Sequence, residues 1–292
     1  MKVYITSDTS CDLSKEQIEK HNIKTLPLFV TLNGEEHRDG IDITPQTIFD
    51  FVKQNKKLPK TSAVGVEQYH AFFQEVLNQD KDACIVHIGL SSGLSSSYNN
   101  SVTASKDFDG RVISVDGKNL SSGTGLLVLY ACELAESGKN AQEIASLVEK
   151  RVPFVQASFI IQEVEYLYRG GRCSAMALLG ANLLKIKPRI QVKDGVMINT
   201  GKPRGKMLPV LKEYVDNTLR DFPNPDKTRC FVTHSCIEPE ISKEIVEYVK
   251  SKNIFDEVCE TIASSTITSH CGKGTLGILY INDGGNVKWR NF

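Results

Sequence analysis

Apolar and polar positions alternate in blocks along the first 150 residues of the chain. Four short apolar runs predict buried strands, at residues 2–6, 25–32, 83–88 and 111–115. Apolar residues at helical spacing, together with glycine and proline breaks, predict helices at residues 13–22, 66–78, 120–138 and 141–151. A further helix is expected to start at Pro45, with Thr44 as its N-cap. This alternation predicts an α/β domain built on a mainly parallel sheet with helices on both faces.

The pattern changes after about residue 155. Strands are predicted at residues 156–161, 229–234, 258–263 and 276–281, and helices at residues 207–219 and 238–252. Residues 190–199 carry Asp194-Gly195 at their centre, which predicts a β-hairpin with a tight turn. We therefore expect a second α/β domain with a mixed sheet, and place the two domains at residues 1–155 and 156–292.

Composition narrows the class of protein. The 292 residues include 35 Lys+Arg and 35 Asp+Glu, and zero net charge argues against a nucleic-acid partner. The polar N-terminus lacks the apolar core of a signal peptide, and no apolar run approaches the roughly 18 residues of a membrane span. Eight cysteines without a CxxC pair indicate reduced, buried thiols in a cytoplasmic protein without a metal site.

Two hydroxyl-rich segments precede predicted helices. Thr61 and Ser62 lie in the first, where they are expected either to cap the helix or to face a ligand. The second, residues 91–98, contains Ser95 and follows the strand at residues 83–88. Ligands of open parallel sheets bind at the carboxyl ends of strands, so this serine loop is a candidate anion site as well as a candidate cap. It matches neither a Walker A loop nor a nucleophile elbow.

Three further candidates carry positive charge or a histidine. Arg172 follows a double glycine and is expected to cap a helix or to meet an anionic partner. Arg204 lies in a cationic stretch at residues 201–206, which suits a solvated loop or a phosphate contact. His270 stands beside Gly272 and Gly274, where a structural role and a ligand contact are alternatives. No spacing predicts a metal site or a Ser-His-Asp set, so these residues alone indicate an anion-binding α/β protein.

Taken together and in order, these segments resemble the DegV family, which includes the fatty-acid-binding subunits of bacterial fatty acid kinase. The matching segments are residues 7–13, 59–62, 90–95, 166–172, 202–205 and 268–274. They extend over a single unit from about residue 3 to about residue 282.

The resemblance implies two α/β domains with a long-chain fatty acid, such as palmitate, buried between them. It implies that Thr61 or Ser62, together with Ser95, holds the carboxylate, with His270 nearby. It further implies a lipid-binding protein without catalytic residues or a cofactor, which presents the acid to a separate ATP-dependent kinase for acyl phosphate formation. Arg172 and Arg204 would then contact the kinase or its phosphates.

The sequence departs from the family pattern at two points. The family often continues the Thr-Ser pair with Gln-Pro-Ser, where this chain has residues 63–65, Ala-Val-Gly, and Lys273 stands between two glycines where the family often has proline. No Lys or Arg is expected in the hydroxyl cluster. Tunnel walls are expected to come from Phe29, Leu126, Leu127, Leu129, Phe159, Ile161, Leu178 and Leu179, each of which also suits ordinary core packing.

Three other interpretations compete. The first is a phosphotransferase or hydrolase that uses the serine loop and His270. The second is a carrier of another amphiphile, such as a sterol-like or isoprenoid acid. The third, an interaction scaffold, does not explain hydroxyl clusters at the ends of strands.

Overall fold

A computed structural model describes residues 2–173 and 186–285, and its first half is built on a parallel sheet. Its four strands run in the order β2-β1-β6-β7, with β1 (Val3–Asp8), β2 (Lys24–Leu26), β6 (Cys84–Gly89) and β7 (Val112–Asp116). Every neighbouring pair in this sheet is parallel. The predicted mainly parallel sheet is therefore confirmed.

The helices of the first half lie at the positions where the sequence predicts them. They are α1 (Lys15–Lys20), α2 (Pro45–Asn55), α3 (Val66–Leu77), α4 (Ser97–Ser105), α5 (Ser122–Glu136) and α6 (Ala141–Arg151). The Thr44 hydroxyl caps α2 by accepting from the Thr47 backbone N–H at 3.3 Å. Strand β6 is buried along its whole length, because the pairs α3–α4 and α5–α6 both pack against it.

A small antiparallel sheet departs from the prediction. Its strands, in the order β4-β3-β5, are β3 (Phe29–Leu32), β4 (Glu35–Arg38) and β5 (Lys60–Ser62). The single strand predicted at residues 25–32 is wrong, since Pro27 separates β2 from β3 and the two belong to different sheets. Proline has no N–H for a ladder hydrogen bond, so the chain changes direction there.

The second half contains a mixed sheet. Its strands, in the order β10-β9-β8-β13-β11-β12, are β8 (Val155–Ile160), β9 (Arg189–Lys193), β10 (Val196–Gly201), β11 (Arg229–His234), β12 (Glu257–Ile262) and β13 (Leu276–Ile281). Only β11 and β12 pair in parallel. Asp194 and Gly195 both have positive φ, as a tight hairpin turn between β9 and β10 requires. The mixed sheet and its hairpin are thus confirmed.

The described helices of the second half are α7 (Val164–Gly170), α8 (Met207–Asp221), α9 (Pro239–Lys250) and α10 (Ser265–Cys271). No helix was predicted for the last of these segments. Ser264 instead caps a short helix, since its hydroxyl accepts from the Ile267 backbone N–H at 3.4 Å.

Helix α5 lies between the two large sheets and joins their cores. It contacts β1 and β6 of the parallel sheet, and β8 and β13 of the mixed sheet. The close approach of α5 to the segment that follows β1 depends on a glycine in the helix, because a Cβ at Gly125 would lie 2.6 Å from the Cys11 carbonyl oxygen. The predicted boundary at residues 155/156 falls at the start of β8 and stays a prediction.

A buried ion-pair cluster also joins the two halves. Arg151, the last residue of α6, is 5 % exposed, and its guanidinium lies 4.5 Å from the centre of the Tyr130 ring. It donates to Asp283 at 2.8 Å and also to Asp226, which flank the mixed sheet. Since one cation neutralises two partly buried carboxylates, its removal leaves both of them uncompensated.

We expect Arg151→Met to lower the free energy of unfolding by about 3–5 kcal/mol, because Asp226 and Asp283 would stay buried without a partner. Urea titration followed by circular dichroism measures this change. Lys139→Met is the matched control, since Lys139 forms a surface pair with Glu143 at 3.7 Å, and we expect a change within about 0.5 kcal/mol. Equal effects of the two substitutions would contradict this account of the cluster.

Candidate functional site

A cavity opens at the carboxyl end of β6, where the parallel sheet, the small sheet and α10 meet. The space in the cavity and its mouth is about 740 Å³, part of which is open to solvent. Much of its wall is apolar and comes from Leu28, Leu90, Leu94, Leu120, Met197 and Ile267. Polar side chains occupy one part of it, so the cavity suits a ligand with an apolar body and a polar end.

Thr61 and His270 form the centre of the polar part. Thr61 is on β5 and His270 is on α10, and the Thr61 Oγ1 lies 2.8 Å from the His270 Nε2. Burial, and then the positive charge of Arg172, lower the pKa of His270 to about 4. His270 is therefore neutral at pH 7 and contributes a hydrogen-bonding imidazole.

The other ring nitrogen of His270 faces the end of α7. Its Nδ1 is buried and has no hydrogen-bond partner among residues 2–173 and 186–285. A Cβ at Gly170 would lie 2.5 Å from this atom, so the double glycine lets α7 approach the imidazole closely. The contact with the imidazole thus gives one reason for Gly170, the first glycine of the pair before Arg172.

Ser95 reaches the same cavity from the serine loop. Its hydroxyl lies 2.9 Å from the Ser97 hydroxyl and accepts from the Ser97 backbone N–H at 3.2 Å. The Ser97 hydroxyl in turn accepts from the Val64 backbone N–H at 3.3 Å. These hydrogen bonds hold the serine loop beside the segment that carries Thr61.

Thr61 and Ser62 both line the cavity but differ in environment. Thr61 is half-buried and bonded to His270, whereas Ser62 is exposed. Neither residue caps α3, whose N-cap is Gly65, so the capping alternative for this pair is wrong. The pair instead belongs to β5, where successive side chains point to opposite faces of the strand.

Arg172 belongs to the cavity wall, and Arg204 does not. Arg172 donates from Nη1 to the Gly170 carbonyl at 2.8 Å, as expected for a cation that caps the end of α7. It also lines the cavity beside His270, although it makes no hydrogen bond to Thr61 or Ser95 within the described residues. Arg172 lies there because α7 packs against α10 and brings its C-terminus to the imidazole. Arg204 is exposed after β10 and is not among the residues that line the cavity.

A second, almost wholly apolar cavity lies deeper between the sheets. It is much narrower than the first cavity and shares Leu120, Ile267 and Cys271 with the wall of that cavity. Further wall residues are Phe159, Ala263 and Leu279. Because the same three side chains line both cavities, the second cavity adjoins the first.

The predicted tunnel walls are found in several places. Phe159 lines the deeper cavity, whereas Leu126 lines a separate small pocket beside Arg151. Phe29, Leu127, Leu129 and Ile161 belong to the core around the two sheets. Leu178 and Leu179 lie outside the described residues.

The sequence analysis missed Leu120 and Met197 as wall residues. Leu120 follows the carboxyl end of β7, so the rule that ligands bind at this edge of a parallel sheet would have found it. Met197 lies on β10, and its position over the cavity depends on contacts distant in sequence. The Ser91 hydroxyl donates to the Gly195 carbonyl at 2.7 Å and holds the hairpin against the serine loop.

The described part of the chain holds neither a cluster of metal ligands nor a membrane-spanning helix. Within residues 2–173 and 186–285, no group of His, Cys, Asp and Glu side chains is arranged to hold a metal ion. The helices in these ranges are too short or too polar to cross a bilayer.

Comparison with known proteins shows which family and which relatives the chain is similar to. The model of a family described as "Uncharacterised protein, DegV family" matches residues 2–283. A DegV domain-containing protein of Clostridium perfringens is 30% identical over 291 residues, which cover 97% of this chain and 98% of the relative.

Solved structures of similar fold include proteins described as binding fatty acids. One is a DegV family protein from Thermus thermophilus, with a TM-score of 0.88 and 27% identity over 97% of this chain and 100% of that one. Another, from Eubacterium ventriosum, is a stearic-acid-binding protein with a TM-score of 0.82 and 27% identity over 97% and 98% of the two chains. Because the family model matches nearly its whole length, the chain belongs to the DegV family.

Proposed function

We propose that the chain binds one long-chain fatty acid, with its carboxylate at Thr61, Ser95 and His270 and its tail in the deeper cavity. The observation that carries this proposal is a cluster of polar side chains in a largely apolar cavity that adjoins a second apolar cavity between the sheets. The relatives from Thermus thermophilus and Eubacterium ventriosum, described as binding fatty acids, support the same ligand class.

The head of the site suits a carboxylate. The hydroxyls of Thr61 and Ser95 donate to carboxylate oxygens, while the neutral His270 orients the Thr61 hydroxyl through their 2.8 Å contact. Arg172 supplies a positive charge at the cavity wall without burial of an ion pair. Of the two alternatives at residues 61 and 62, Thr61 is favoured because it is the one bonded to His270.

The tail supplies most of the affinity. A sixteen-carbon acid such as palmitate buries about fifteen carbons at roughly 0.8 kcal/mol each, which gives a gross apolar contribution on the order of 10 kcal/mol. Two or three hydrogen bonds to the head group add about 0.5–1.5 kcal/mol each. The cavities therefore determine how tightly the acid binds, and the hydroxyls determine which way it points.

We further propose that the chain presents its carboxylate to a separate ATP-dependent fatty acid kinase, without catalysis of its own. Ser62, Ser96 and Arg172 are exposed or half-buried members of the cavity wall, so the head of the ligand lies close to the surface. Arg172 and Arg204 are the cations proposed to meet the kinase or its phosphates. Acyl phosphate formation that needs both proteins together with ATP would support this role.

The alternative of a hydrolase or phosphotransferase has weaker support. Thr61 and His270 are close enough to act as nucleophile and base, but such a base is normally oriented by a third group. Among the described residues, no partner orients the His270 Nδ1. ATP or ester hydrolysis by the purified chain alone would favour this alternative.

Loss of one head-group hydroxyl should weaken acid binding while the fold stays intact. We expect Ser95→Ala and Thr61→Val each to cost about 1–2 kcal/mol of binding free energy for stearate, measured by isothermal titration calorimetry. Ser92→Ala is the matched control, because Ser92 lies in the same loop but donates to Asp116 at 2.5 Å. Unchanged affinity in Ser95→Ala would remove Ser95 from the site.

A larger side chain in the deeper cavity should shorten the preferred acid. In Ala263→Leu, the added carbons occupy space proposed for the tail end, so we expect stearate binding to weaken about tenfold and decanoate binding to change by less than about twofold. Ala135→Leu, at a half-buried position on the outer end of α5, should change neither affinity. Equal weakening of both acids by Ala263→Leu would place the tail elsewhere.

His270 should make the folded state of the ligand-free protein less stable in acid. The unfolded histidine binds a proton below its ordinary pKa of about 6.5, whereas the folded one does so only near a pKa of about 4. Stability contributed by the neutral imidazole is therefore lost as the pH falls from about 6.5 to about 4.

His270→Gln should reduce this loss, measured as unfolding free energy at a series of pH values. The exposed His70 supplies the control substitution His70→Gln. An NMR titration in which the His270 ring becomes protonated near pH 6.5 would contradict the expectation.

A further inference from the structure

Helix α10 carries His270 but has little stability of its own. It spans only seven residues, Ser265–Cys271, of which four are serine or threonine. Helices of this length are unstable in isolation, and serine and threonine are weak helix formers. The position of the imidazole therefore depends on groups outside the helix.

Two buried carboxylates from the first forty residues bind the start of α10. The backbone N–H groups of Ser265 and Thr266 donate to Asp39 Oδ1 and Oδ2 at 2.8 and 2.9 Å. The Ser264 N–H donates to Asp12 Oδ1 at 2.9 Å. Three backbone N–H groups that a helix leaves unpaired at its N-terminus thus donate to carboxyl oxygens.

Asp39 is fixed by the small sheet that also carries Thr61. It is 0 % exposed, follows the last residue of β4, and donates from its backbone N–H to the Leu28 carbonyl at 2.9 Å. In the sheet, Phe29 of β3 pairs with Arg38 on one side and with Ser62 on the other. The small sheet therefore carries Thr61 on one edge strand, β5. Asp39, which binds α10, follows directly after the other edge strand, β4.

We propose that Asp39 is a positioning residue for His270: it fixes α10 so that the imidazole meets the Thr61 hydroxyl and the ligand carboxylate. This inference rests on the proposed function, in which Thr61 and His270 belong to the head of the fatty acid site. Asp39 itself does not line the cavity, so it acts through the helix and not through contact with the ligand.

The substitution Asp39→Asn separates this role from general support of the fold. Asparagine retains one acceptor oxygen but turns an NH2 group toward a backbone donor. Helix α10 therefore loses one of the two hydrogen bonds that it donates to Asp39. We expect stearate affinity to fall about tenfold, the equivalent of one charge-assisted hydrogen bond. Affinity for stearyl alcohol, which has the same tail without the carboxylate, should change by less than about twofold.

Asp42→Asn is the matched control. Asp42 lies three positions later, is exposed, and pairs with Arg38 at 2.8 Å on the outside of the molecule. It should leave both affinities unchanged.

A double-mutant cycle tests whether Asp39 acts through His270. In a His270→Ala background, Asp39→Asn should cause no further loss of stearate affinity, because the group that it positions is absent. Additive losses, or an equal loss for stearyl alcohol, would show that Asp39 only supports the fold and would overturn the inference.

A second pair of variants tests the same hydrogen bond if Asp39→Asn fails to fold. Ser265 is the first residue of α10, and Ser264 before it has φ −58° and ψ 167°, a backbone conformation that accepts a following proline. Ser265→Pro removes the N–H that donates to Asp39, whereas Ser265→Ala keeps it. We expect Ser265→Pro to bind stearate about three- to tenfold more weakly than Ser265→Ala, and equal affinities would overturn the inference.

These experiments also distinguish failure of the inference from failure of the proposed function. If His270→Ala leaves stearate binding unchanged, the head of the site is assigned wrongly and the role of Asp39 falls with it. If His270→Ala weakens binding but Asp39→Asn and Ser265→Pro do not, only the role of Asp39 is rejected.

Discussion

The hydrogen bond between Thr61 and His270 joins positions 209 residues apart, and the candidate site depends on it. It forms only because α10, which connects β12 to β13 of the mixed sheet, packs against the small sheet of the first half. Around this contact, the serine loop supplies Ser95 and the end of α7 supplies Arg172. Each of these segments lines the cavity at the carboxyl end of β6. The topology of the sheets therefore brings together side chains that are far apart in sequence.

Burial determines how these groups work. Because the imidazole is held neutral in a largely apolar setting, the site contains hydroxyls and a neutral ring, with its positive charge kept at the wall on Arg172. A fully buried cation would bear a large desolvation cost, which an exposed arginine avoids. The apolar space beyond Leu120, Ile267 and Cys271 then favours a ligand whose binding energy comes from hydrocarbon and whose orientation comes from hydrogen bonds.

Much of the fold followed from periodicity, and the exceptions have physical causes. The buried strands β6 and β8 and the helix α6 were predicted within one or two residues, because apolar runs and capping residues mark them strongly. Strand β5 and helix α10 were missed because both are short and polar, and each is stabilised by tertiary contacts: β5 pairs with β3, and α10 is capped by Asp12 and Asp39. The candidate residues Thr61, Ser62, Ser95 and His270 came from hydroxyl clusters and a family resemblance, and the structure brings all four to one cavity. The walls of the deeper cavity could not be predicted in the same way, since an apolar residue facing a cavity has the same sequence pattern as one that packs in a core.

The central claim is that this chain holds a long-chain fatty acid between its two sheets. Native mass spectrometry of freshly purified protein, followed by organic extraction and mass analysis of what is released, tests it most directly. The account predicts one fatty acid for each chain, either retained from the expression host or taken up when stearate is added. A mass equal to that of the polypeptide alone, unchanged after the addition of palmitate or stearate, would contradict it.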